Sequence, residues 1–303
     1  MALKKKHPLL TSGKASIVNE NTAKSLFKDI LNLGIPYGYQ QANCHNLSHF
    51  INLYLESKGF KCAKIWAFAP IIYSPLSSRL ISFTDKKRLS PTGNIDWGYH
   101  VAPVLQVQIG NKVSKMVIDP SLFPNGLVRY ETWLTKLNTK NLIYLIMDSD
   151  WYLFNSSPFP SNQLDNFPND FQDASQPSVI LPEWFQGKLI SDFYKYEDDC
   201  EYYHWIEKGM AINETAITFY NNEIKPLLYS NTQNDLVNDY KNLAGNVFNF
   251  ETIFRDFTWN DEMNDEFQQK HQIIISKYRE IYNDNYNNWE QKLYNLREEI
   301  KKK

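Results

Sequence analysis

Three residues of this chain have the types and surroundings to run nucleophilic chemistry. Cys44 stands before Leu47, Phe50, Ile51, Leu53, Tyr54 and Leu55, which recur at helical spacing until Gly59. The thiol therefore falls at a helix N-terminus, where the backbone dipole favours a thiolate and free N–H groups can receive a developing oxyanion. His100 opens an apolar strand, Val101-Ala102-Pro103-Val104, after Trp97-Gly98-Tyr99. Asp119 ends another hydrophobic run, Val117-Ile118-Asp119, just before Pro120. Each has a plainer reading: a buried packing cysteine, a hydrogen-bonded edge histidine, and a turn or capping aspartate. Together they match the nucleophile, base and orienter of a cysteine hydrolase.

The elements that must position them follow from the local patterns. Ala23–Leu33 carries Leu26, Ile30 and Leu33 on one helical stripe, stopped by Gly34 and Pro36. Cys44–Lys58 predicts the helix that begins with the thiol, and Gly59 is its C-cap. Beyond it the period changes to strands over Lys64–Ala69, His100–Ile109 and Val113–Asp119, the last two joined by a Gly110-Asn111 turn. That hairpin brings His100 and Asp119 to the same open end. Pro70–Thr92, with its prolines, serines and Lys86-Lys87-Arg88, reads as a surface excursion. A brief helix over Tyr130–Leu137 and an apolar segment over Leu142–Met147 complete a first unit, 1–154.

A proline-rich stretch over 155–182 opposes regular structure and reads as a linker. Residues 183–303 read as a helical domain. From Asn246 to the C-terminus there is neither Gly nor Pro, and Phe267, His271, Ile274, Tyr278, Ile281, Trp289, Leu293 and Leu296 recur at a helical period. The fold class expected is therefore α+β, a catalytic helix on strands followed by a mostly α-helical region.

The segments Cys44-His45-Asn46-Leu47-Ser48-His49, Trp97-Gly98-Tyr99-His100-Val101-Ala102 and Ile118-Asp119-Pro120-Ser121-Leu122-Phe123, with Gly126, Val128 and Trp133, resemble the bacterial protein-glutaminase family. The resemblance spans roughly 37–133 and implies a papain- and transglutaminase-like core, with the helix packed on an antiparallel sheet. It implies conversion of protein glutamine side chains to glutamate with release of ammonia, with Cys44 as nucleophile, His100 as general base and Asp119 as the third member. The chain departs from the family in its enlarged Cys44–His100 interval, its helical second half, and the lack of an evident secretion signal or pro-region.

Under that likeness Trp97 and Tyr99 are expected to line the substrate site, with Pro70–Thr92 as a further wall. The second oxyanion donor is expected from the 37–43 loop. His49 points roughly 140° around the helix from the thiol at 3.6 residues per turn, so a structural hydrogen-bonding role is expected. His45 could touch the site, Ser121 lacks a nucleophile-elbow sequence, and Cys62 and Cys200 read as core or surface thiols. Asp148 with Asp150 and Asp198 with Asp199 read as solvated acids rather than a cation site.

Composition narrows the classes further. In 303 residues, 43% are hydrophobic and 22% charged, which describes a folded protein, and 32 basic against 34 acidic residues give a formal charge of −2. The basic footprint of a nucleic-acid binder is missing. Three cysteines without a C-x-x-C pair exclude a disulfide framework and fit a structural zinc poorly. Neither G-x-G-x-x-G nor the P-loop pattern occurs, so no cofactor is expected and no metal. No apolar stretch approaches the ~18 residues of a membrane span. The expected location is the cytoplasm, or another cell reached by a non-classical route.

The leading expectation is a deamidase of glutamine in a protein or peptide substrate, acting through a thioester. The alternatives are a thioester-forming acyltransferase or amidase on a small molecule or peptide, and a non-catalytic binding protein that keeps the fold. The helical region 183–303 is the surface expected for any partner protein.

Overall fold

The computed structural model describes residues 15–38, 43–73, 77–88, 93–155, 185–189, 204–228, 234–245 and 269–303. In chain order they form β1 (Ile17–Asn19), α1 (Glu20–Leu31), α2 (Cys44–Ser57), β2 (Ala63–Phe68), α3 (Pro70–Tyr73), β3 (Ile81–Thr84), β4 (Asn94–Trp97), β5 (Tyr99–Ile109), β6 (Lys112–Val117), β7 (Val128–Arg129), α4 (Tyr130–Lys136), β8 (Ile143–Asp148), β9 (Trp151–Asn155), β10 (Phe185–Leu189), α5 (Trp205–Phe219), a π-helical turn (Tyr220–Ile224), α6 (Lys225–Leu228), α7 (Asn234–Gly245) and α8 (Gln272–Lys301).

The central sheet runs β7-β6-β5-β2-β8 with every pair antiparallel, and β1 adds to β5 in parallel. β5 is the spine. Its 11 residues pair with β2 from Tyr99 to Val104 and with β6 from Val104 to Ile109. The β5–β6 turn is closed by Gly110 at φ 56, a left-handed conformation that glycine adopts without steric cost. α1 is capped by Asn19, whose side chain accepts from Thr22 N at 2.8 Å. α2 stops where Gly59, at φ 87, donates to Glu56 O and Phe60 donates to Leu55 O.

One layer of core lies between α1, α2 and the sheet: Leu26, Phe27, Ile30, Ile51 and Leu55 pack on Leu105, Val107 and Ile118. A second lies where β2, β5 and β6 meet Ile81, Trp133 and Leu137. The third is formed by α2 itself and the C-terminal helices. Leu47, Phe50 and Leu53 share a core with Met210, Phe219, Tyr278, Trp289 and Leu293, and the Phe50 and Trp289 rings meet edge to face at 5.0 Å. α2 is thus clasped between the sheet and the helical region, which explains why 11 of its 14 residues are buried.

Two expectations need adjustment. Pro70–Thr92 is not only a surface excursion: it holds α3 and β3, β3 pairs with β4, and Ile81 is fully buried. The hydrophobic alternation of Ile81 and Phe83 was hidden among polar neighbours. The stripe of α8 is also rotated slightly from the expected one, with Ile275, Tyr278, Tyr282, Trp289 and Leu293 buried while Ile274, Ile281 and Leu296 are partly covered. The linker expected over 155–182 lies outside the described residues from 156 onward. The strands on its two sides pair antiparallel, Asn155 opposite Phe185.

Among the described residues, no helix is long and apolar enough to cross a membrane.

Candidate active site

Cys44 is the first residue of α2, half-buried where the helix start meets the opening of β5. His100, the second residue of β5, is buried, as is Asp119, two residues past the end of β6. The hairpin register fixes their approach. Val104 is paired with Val117, and Ile118 N donates to Pro103 O at 2.9 Å, so Asp119 arrives beside the start of β5. His100 Nε2 then lies 2.8 Å from Asp119 Oδ2. With Nε2 engaged, the buried Nδ1 is the ring nitrogen left available to Cys44.

The carboxylate is held from a further side. Trp133 Nε1 donates to the same Asp119 Oδ2 at 2.8 Å, and Leu122 N donates to Oδ1 at 3.3 Å. Trp133, from α4, also stacks on the His100 ring with centroids 5.4 Å apart and planes 20° apart. Trp97, from β4, stacks on that ring at 4.8 Å and 22°. The imidazole is therefore fixed through one nitrogen and by near-parallel contact with two indoles.

These contacts set the charges. Burial opposes ionisation of Cys44, but its contacts with His100 and His45 outweigh that cost and lower the thiol to about 6. Burial likewise opposes a charged His100, but Asp119 and then Cys44 raise it to about 10. Burial would raise Asp119, yet His100, Trp133 and the Leu122 amide hold it below the ordinary carboxylate value. A thiolate beside an imidazolium is the favoured state across neutral pH.

The helix start has an unusual cap. Asn43 occupies the N-cap position, but its side chain accepts from no backbone N–H of the helix. Its Nδ2 instead donates to Gly209 O of α5 at 2.7 Å, while its Oδ1 accepts from Asn46 Nδ2 at 2.6 Å. The first-turn N–H groups of α2, which have no intrahelical acceptors, are thereby not covered by the residue that usually covers them. Gly209 is required for this approach, because a Cβ there would stand 1.7 Å from Asn46 Nδ2 and 2.5 Å from its Cγ.

A cavity of about 220 Å³ opens on these groups, lined among others by Tyr37, Cys44, Trp97, Tyr99, His100 and Asp119. Trp97 and Tyr99 both line it, and Trp97 has the added contact with His100. Tyr99 Oη is 3.1 Å from His45 Nδ1. His49 lies away from the thiol and 3.1 Å from the Nζ of Lys64, which is itself fully buried in β2. Cys62 is in the core and donates to Asn52 Oδ1. Ser121 accepts from Gly38 N at 3.3 Å. Asp148 Oδ1 accepts from Asp150 N, and no group of three or more His, Cys, Asp or Glu side chains among the described residues is placed to hold a metal ion. Cys200, Asp198 and Asp199 lie outside the described residues.

Sequence reasoning missed the double part of Trp133 and the cap formed by Asn43, Asn46 and Gly209. An indole N–H has no sequence signature for its acceptor, and residues 43 and 209 meet only through tertiary packing.

Residues 20–137 match the family model described as Glutaminase. Solved structures of protein-glutaminase are similar to the chain. An NMR structure of protein-glutaminase from Chryseobacterium proteolyticum is 23% identical, covers 47% of this chain and 78% of its own, and has a TM-score of 0.37. A crystal structure of protein-glutaminase is 22% identical, covers 48% of this chain and 78% of its own, and also has a TM-score of 0.37. No curated relative matches the chain.

Proposed function

Since this chain carries a glutaminase-family segment over residues 20–137, we propose that it is a cysteine-dependent amidohydrolase that deamidates glutamine side chains of protein substrates through a thioester on Cys44. The observation that carries the reading is the 2.8 Å contact between His100 Nε2 and Asp119 Oδ2, which leaves Nδ1 for the thiol at the head of α2.

The Cys44 thiolate attacks the carboxamide carbon, and the carbonyl oxygen gains the negative charge. First-turn N–H groups of α2 receive that oxyanion, with the Asn43 side chain turned aside to Gly209. The imidazolium of His100 gives its proton to the departing nitrogen, and ammonia leaves as the carbon–nitrogen bond breaks. Water then loses a proton to His100 and attacks the thioester, which releases glutamate and restores the thiolate. Asp119 holds the ring orientation and stabilises its charged form through both steps. No step calls for a metal or cofactor.

The test is ammonia release from a glutamine-rich protein, measured beside free glutamine and a Cys44→Ala control, with mass spectrometry of the product. Each turnover exchanges an amide for an acid and adds about one dalton. Equal ammonia from enzyme and control would overturn the proposal. An acyl adduct on Cys44 that only an added amine resolves would assign acyl transfer instead.

A further inference from the structure

The cavity at Cys44, about 220 Å³, is smaller than the roughly 300–1,000 Å³ of sites that enclose whole small ligands. It is the size for a side chain, so the main chain that carries the glutamine must run over adjoining surface. A larger groove of about 1040 Å³ begins there: Trp97 and Ser121 line both spaces. Its floor is the Phe83–Trp97 aromatic pair, with ring centroids 5.0 Å apart, and Ile95. Ser82, Thr84, Thr132 and Thr135 also line the groove.

The charge in this groove is of one sign. Lys86, from the turn after β3, and Lys136, at the end of α4, are exposed along it. Lys87 adds a third positive charge from the wall, half-buried with Nζ 4.9 Å from the Tyr220 ring centroid. No Asp or Glu is among the described lining residues. The adjacent Asp85 is buried, and its Oδ1 accepts from Lys87 N at 2.8 Å. This clustering is local, because the whole chain has a formal charge of −2.

We propose that the groove seats the substrate polypeptide beside its target glutamine and selects segments bearing Asp or Glu there. The assignment rests on the amidohydrolase reading for which residue enters the small cavity, and on the groove itself for what flanks it. The aromatic pair and the small polar residues beside it suit an extended chain of varied sequence, while the lysines supply the discrimination.

The experiment uses fluorescein-labelled peptides of equal length with one central glutamine flanked by Glu, Ser or Lys. Binding to full-length Cys44→Ala protein is read by anisotropy, which needs no turnover. The glutamate-flanked peptide is expected to bind about tenfold more tightly than the lysine-flanked one at low salt, with the difference shrinking as salt rises. Equal binding of the two, or the reverse order, overturns the proposal. Charge reversal at Lys86→Glu with Lys136→Glu is expected to invert the order, a gain for the lysine peptide that misfolding cannot imitate. An unchanged order in that variant would overturn the assignment of selectivity to these lysines. Ammonia release by the wild-type chain from the same peptides reports separately on the catalytic reading.

Discussion

Replacing Trp133 by Phe tests whether the thiolate depends on a chain of contacts that begins in α4. The change keeps an aromatic ring near His100, leaves a small void in the core around the fully buried Trp133, and removes one donor from Asp119 Oδ2, the Nε1–H at 2.8 Å. A hydrogen bond to a buried charged group contributes about 1.5–3 kcal/mol. The Asp119 carboxyl, held low in part by that donor, therefore rises toward the ordinary carboxylate value. Without the indole, Oδ2 loses the anchor that orients it toward His100, so the carboxylate–imidazolium contact loosens and part of the loss passes to Cys44. Taking about 1.4 kcal/mol of that loss at the thiol, a factor of ten in its ionisation, the Cys44 thiol moves up from about 6. At pH 6 the thiolate fraction then falls about fivefold, whereas at pH 8 it barely changes. The assay is the rate of Cys44 alkylation by iodoacetamide across pH 5–9, with circular dichroism to follow the fold. An unmoved alkylation profile would refute the argument, and so would an equal loss at pH 6 and pH 8, which would mark general damage rather than a shifted ionisation.

Further outcomes follow from the same geometry. Turnover should be bell-shaped in pH, rising as Cys44 ionises near 6 and falling as His100 loses its proton near 10, and a kcat/KM profile against pH checks both limbs. Gly209→Ala should push the buried Asn46 out of place and cost about 1–3 kcal/mol of stability by overpacking. It should also lower Cys44 turnover more than substrate affinity, read as a fall in kcat at nearly constant KM. Lys64 is lowered to about 7 from its usual 10.5 by burial. The unfolded chain therefore binds the extra proton between those values, and this group makes stability rise with pH across that window. Thermal melts of Lys64→Met should show its largest advantage relative to wild type at pH 7 and below, shrinking toward pH 10. A constant difference across pH would reject that ionisation.

The places of Cys44, His100 and Asp119 in their elements were legible because each sits at a boundary that local chemistry marks. The switch from a β-type run to a turn at Gly110-Asn111 placed His100 and Asp119 at one end of a hairpin, since strand pairing through a short turn leaves little freedom of register. Helical periodicity closed by Gly59 placed Cys44 at a helix start for a similarly local reason. The proline-rich composition around 155–182 suggested only separation. It gave no sign that Asn155 and Phe185 would be partners, because pairing across such a stretch depends on where the chain returns.

What the sequence determined by itself was therefore the placement of Cys44 at a helix start and of His100 and Asp119 at one end of a hairpin, since periodicity and turn residues act over a few positions. Only the tertiary structure decided how those groups are held. The carboxylate of Asp119 receives a proton-bearing nitrogen from α4, and His100 is packed against indoles from β4 and α4. The head of α2 is kept open by a backbone carbonyl of α5, more than 160 positions away in the chain. Contacts of that kind are set by side-chain shape and burial, which join residues without regard to their distance along the sequence.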